Sequence, residues 1–115
     1  MSYKIDYWRK SALEDLEAGR SLLEKGHFRH SLFLAHLALE KMLKARVIIH
    51  TRQLPPKIHN LERLAEISGL QLSLERKQTL SAFGIHQLQG RYPDPSQPPV
   101  DKESAAKDFA IQRRC

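Results

Sequence analysis

Residues 32–49 read LFLAHLALEKMLKARVII, and the spacing of their apolar side chains decides the fold. Leu32, Ala35, Leu39 and Met42 recur at steps of three and four, which places them on one helix face; Leu34, Ala38, Ala45 and Ile48 fill the adjoining stripe. A helix apolar over so wide an arc needs cover from several directions. His36, Glu40 and Lys44, each four residues from the next, cut one polar stripe through it. Two readings of that stripe stand. It is a row of imidazole, carboxylate and ammonium able to hold an anion or move a proton. Or it is the solvated side of the helix, where a Glu40–Lys44 pair adds about 0.3–0.5 kcal/mol. On the residues alone the ion pair is the simpler account.

Outward from this stretch, the helical pattern extends over Phe28 to His50. Upstream, Ile5, Trp8, Ala12, Leu16, Gly19 and Leu23 keep the same steps, so Ser2 to Lys25 is a first amphipathic helix that Gly26 closes. Gly19 falls on its apolar face as a packing position. The turn is short, which makes the two helices an antiparallel hairpin. Downstream, Pro55 and Pro56 forbid continuation and TRQLPPK is a loop. A short helix follows from His59 to Ser68, with Asn60 near its cap and Gly69 at its end. Ser73 suits the N-cap of a helix from Leu74 to Gln89, where Leu74, Ser81, Ile85 and Leu88 share one face and Leu80, Phe83 and Gly84 another. RYPDPSQPP, with four of the six prolines, is an extended connection, and Asp101 to Arg113 reads as the last helix. No strand pattern or internal repeat interrupts this order. The expected fold is an all-α, up-and-down helical bundle of four main helices plus a short helix, forming a single domain over residues 1–115.

Composition narrows the function. Hydrophobic content of 41% and charged content of 28% describe a globular chain, and no apolar run is long enough for a membrane span. The first residues, MSYKIDYWRK, lack the apolar core of a signal peptide, so a cytoplasmic location is expected. Cys115 is the sole cysteine and excludes an internal disulfide or a cysteine-based metal cluster. A net charge of +6 favours an acidic partner such as a nucleotide, a nucleic acid or an acidic protein surface. His-Glu-x-x-His and glycine-rich phosphate-loop spacings are missing, so neither a metal nor a cofactor is expected.

Four blocks, in order, then point to a family: WRKSALEDLEAGRSLLEKG, LFLAHLALEKMLKA, PPKIHNLERLAE and GRYPDP. Within them lie Asp15-Leu16 after the aromatic-basic-Ser-Ala opening, Ala38-Leu39-Glu40-Lys41 with Lys44-Ala45, His59-Asn60-Leu61, and Arg91-Tyr92-Pro93-Asp94. Together they resemble the HEPN domain, named for higher eukaryotes and prokaryotes nucleotide-binding. The resemblance implies a homodimer that associates with a small nucleotidyltransferase partner protein, in pairs that include toxin and antitoxin systems. Some branches of the family are metal-independent endoribonucleases whose motif is an arginine followed by histidine late in the fold. Here no histidine follows Arg91, so that motif is not found at the corresponding position and the reading leans away from an enzyme. Three other pairs match the spacing, Arg20 with His27, Arg29 with His36 and Arg52 with His59. They lie elsewhere in the pattern and read as surface charge and packing.

The nucleotide- or RNA-binding candidates are therefore Arg91, Tyr92, His36, Lys44 and His59. Arg91 and Tyr92 stand where a helix gives way to a proline-rich loop; they either hold a phosphate and stack on a base or anchor the turn. His59 opens a helix after a proline-lysine loop, where it either meets a ligand or fixes the loop. The function expected is a HEPN-type module, a homodimer with a nucleotidyltransferase partner and nucleotide or RNA contact. The alternatives are a ribonuclease with an atypical Arg/His site and a purely structural dimerisation module.

Overall fold

Two long helices follow the predicted periodicity: α1 spans Ser2–Glu24 and α2 spans Phe28–Thr51. The computed structural model describes residues 2–81. Between the helices, the amide of His27 reaches the Leu22 carbonyl at 2.9 Å and that of Gly26 the Leu23 carbonyl at 3.2 Å. This pair of bonds satisfies the last carbonyls of α1 and needs a left-handed residue, supplied by Gly26 at φ 84°. The chain reverses there, and α1 packs along α2 as an antiparallel hairpin. Ala12 is 1% exposed and Gly19 is buried.

The seven-residue α3, Leu61–Ile67, packs against α2 through Leu61, Leu64 and Ala65. The Asn60 side chain accepts from the Arg63 amide at 2.9 Å and caps its start. At its end the amides of Leu70 and Gly69 bond back to Ala65 and Glu66, with Gly69 at φ 81°. Residues 74–81 are helical again, opened by Ser73, whose hydroxyl accepts from the Arg76 amide at 3.2 Å. The core joins Leu32, Ala35, Leu39, Leu43 and Val47 of α2 to Leu61, Leu64 and Ala65 of α3 and to Leu80. Leu16 and Leu23 of α1 pack against it. Each such leucine contributes about 1.5–3 kcal/mol through burial.

Two expectations change. Met42 is 46% exposed, because the core line continues from Leu39 by steps of four to Leu43 and Val47. The polar stripe of α2 is not its wet side: His36, Glu40 and Lys44 are 1%, 4% and 6% exposed. Leu74 lies exposed in the first turn after Ser73, whereas Leu80 is buried. Among the described residues every element is helical, and no helix is long and apolar enough to cross a membrane. The later part of the predicted 74–89 helix, the RYPDPSQPP connection with Arg91 and Tyr92, and the predicted last helix lie outside the described residues.

Candidate functional site

Glu40 is the centre of a buried polar lock. One carboxylate oxygen accepts from Lys44 Nζ at 3.3 Å, one helical turn on, and the other accepts from His59 Nδ1 at 3.0 Å. The first contact follows from helix spacing. The second joins residues 19 apart in the chain and depends on the turn that brings the start of α3 back across α2. The carboxylate can only accept, so this contact places the hydrogen on Nδ1, on a side chain that is 51% exposed.

Lys44 is committed on its other side as well, with Nζ 5.3 Å from the centroid of the Trp8 ring on α1. The carboxylate and the aromatic face together offset the cost of burying the ammonium. Beside it, Lys41 pairs with Asp15 at 2.6 Å and donates to the Ser11 hydroxyl at 2.8 Å. Both lysines therefore fasten α1 to α2, and neither is left to attract an anion from solvent.

A cleft of about 320 Å³ opens beside the lock. Among the described residues it is lined by His36, His59, Asn60, Leu61, Glu62, Leu80 and Ser81. His36 is almost wholly buried and forms the inner wall, whereas His59 stands at the mouth. Two of the sequence candidates thus share one cleft, and a third, Lys44, acts behind it by holding Glu40. Arg91 and Tyr92 lie outside the described residues. The histidine–arginine spacings do not become pairs of equal access: Arg29 is exposed while His36 is buried, and Arg52 occupies the left-handed cap of α2 at φ 61°. Among the described residues no group of three His, Cys, Asp or Glu side chains is placed to hold a metal ion.

The polar contacts run between the same sequence blocks that carry the resemblance. Trp8, Ser11 and Asp15 come from the first, Glu40, Lys41 and Lys44 from the second, and His59 and Asn60 from the third. A family model described as the HEPN domain matches residues 5–112. The chain belongs to the HEPN domain family. No curated protein and no solved structure gives a significant match. In this HEPN domain those blocks supply, among the described residues, a set of interhelical polar fasteners beside a histidine-lined cleft.

The role of Glu40 was missed from sequence, where it was assigned to an ordinary surface pair. A signal was available. Apolar residues surround the stripe on both sides in the middle of α2, which means that the stripe must be covered too. Nothing local indicated that His59 would be its partner.

Proposed function

We propose that this HEPN domain acts as a cytoplasmic homodimer that associates with a small nucleotidyltransferase, in the manner of a toxin–antitoxin pair, and takes a nucleotide or an RNA end in the cleft between His36 and His59. The observation that carries the ligand part is the orientation of His59. Glu40 holds one ring nitrogen, and the half-exposed imidazole lines a polar cleft. A histidine held in this way can accept from a base-edge N–H through its other nitrogen, or donate to a phosphate as the imidazolium, without first losing the freedom of its ring. Asn60 and Ser81 add polar groups to the lining, and Leu61 and Leu80 add apolar surface suited to the flat face of a base. Support for the partner part is membership of the family and a net charge of +6.

Calorimetric titration with AMP tests the cleft. The wild-type domain is expected to bind, and His59→Ala to weaken binding by about tenfold, the value of one charge-assisted hydrogen bond. No binding, or equal binding by the variant, would refute this assignment. Light scattering on the domain alone and after co-expression with the protein encoded beside it tests the assembly; a monomer that captures no nucleotidyltransferase would remove it.

A second reading, a dimerisation module without a ligand, draws on the exposed apolar side chains Leu13, Met42 and Ile49, which give a second copy something to cover. A dimer that binds neither AMP nor RNA at low salt would establish it.

A further inference from the structure

The solvent-facing side of α1 carries an arrangement that the histidine cleft does not use. Tyr3 and Tyr7 are 69% and 62% exposed and lie one helical turn apart on the same face. Four residues advance the helix by about 6 Å. Two aromatic faces at such an interval suit neighbouring bases of an extended strand. Neither ring is a loose appendage. Lys4 Nζ stands 5.2 Å from the centroid of Tyr3, and the Tyr7 ring meets Trp8 edge to face with centroids 5.6 Å apart. Trp8 is in turn held by Lys44.

The charges around these rings are distributed unevenly. Through residue 52 the chain has ten lysines and arginines against six aspartates and glutamates, an excess of +4. Lys41 and Lys44 are neutralised by Asp15 and Glu40. Around the turn, Glu17 and Glu24 offset two of Arg20, Lys25 and Arg29. The antiparallel hairpin sets the start of α1 beside the end of α2, so Lys4, Arg9, Lys10, Arg46 and Arg52 collect at the other end against Asp6 and Glu14, the latter one turn from Lys10. An excess of +3 therefore lies at the end that displays the tyrosines.

We infer that this end of the hairpin is a docking surface for single-stranded RNA, with Tyr3 and Tyr7 stacking on unpaired bases and the surrounding cations following the phosphates. Aromatic faces with a cationic surround are what a strand with splayed bases requires, whereas a duplex hides the base faces in its own stack. The surface is separate from the cleft and shares with the proposed function only the premise that the domain meets nucleotides.

Fluorescence anisotropy with a short labelled oligouridine, in EDTA and over a range of salt concentrations, tests the inference. The Tyr3→Ala/Tyr7→Ala double variant is expected to bind at least about 25-fold more weakly, since two base stacks are lost. Tyr3→Phe/Tyr7→Phe keeps the ring faces and is expected to stay within about threefold of wild type. Lys10→Gln is expected to lower the slope of log affinity against log salt by about 0.7, one phosphate contact on a single strand. Excess AMP, which fits the cleft but cannot span both rings, should leave the oligouridine bound, and its own titration reports on the cleft independently. Equal oligouridine binding by the double alanine variant would overturn the inference. So would displacement by AMP, tighter binding of duplex RNA than of the single strand, or a tyrosine-dependent dimer whose RNA affinity is unaffected by the alanines. All of these side chains are exposed, so circular dichroism should show the variants folded as wild type.

Discussion

Removing the carboxylate of Glu40 should reveal how far a buried ion pair differs from a surface one. In Glu40→Leu the Lys44 ammonium, on a side chain only 8% exposed, loses its partner and keeps only the Trp8 face. At 3.3 Å, with an effective dielectric of about 20, the gross attraction is roughly 5 kcal/mol. Desolvation offsets much of this while the pair is intact. What the single variant exposes is the cost of the stranded charge, about 3 kcal/mol. The His59 contact adds less than about 1 kcal/mol, because that ring is half in solvent. For 115 residues, a loss of about 3 kcal/mol lowers the melting temperature by roughly 12 °C. Urea unfolding followed by circular dichroism measures it. Lys44→Met alone should cost less, about 2 kcal/mol, because Glu40 keeps His59. The double variant Glu40→Leu/Lys44→Met should be more stable than the sum of the singles by about 2 kcal/mol, since no charge is then left buried. A loss below about 0.5 kcal/mol for Glu40→Leu would mean that the pair acts as an exposed helix pair, and would refute this account of the lock.

Three other outcomes follow from local geometry. Gly69→Ala places a methyl 2.6 Å from His50 Cε1 at a backbone φ of +81°, and should cost about 2 kcal/mol in urea unfolding. Adding His50→Ala removes the contact and should recover about half of that loss, leaving the backbone term. Arg52→Gly relieves a left-handed residue at the end of α2 and should raise the urea midpoint by the equivalent of about 0.5–1 kcal/mol with an unchanged slope. Asn60→Ala removes the cap on the Arg63 amide and should cost about 1 kcal/mol, seen as faster hydrogen exchange across α3.

The conflicting demands on α2 explain why its polar stripe has such consequences. The helix is covered by α1, by α3 and by Leu80, so few of its positions remain for water. Polar residues caught between those contacts must find partners inside the fold. Glu40 finds Lys44 and His59, and Lys41 finds Asp15 and Ser11. Such bonds depend on angle and distance in a way that leucine contacts do not. They fix the offset of α1 along α2 and hold His59 at the cleft mouth.

The helices were legible in the sequence because their causes are local. Steps of three and four defined α1 and α2, Gly26 and Gly69 marked ends that need a left-handed residue, and Asn60 and Ser73 marked starts that need an acceptor. The order of the blocks also carried the family. Only the tertiary structure decided that His36, Glu40 and Lys44 are buried, that Met42 is outside, and that His36 and His59 share a cleft. A residue's place on a helix wheel follows from the residues beside it. Whether that side of the wheel meets water or another helix depends on chain that returns from far away, as His59 does to Glu40 across 19 positions.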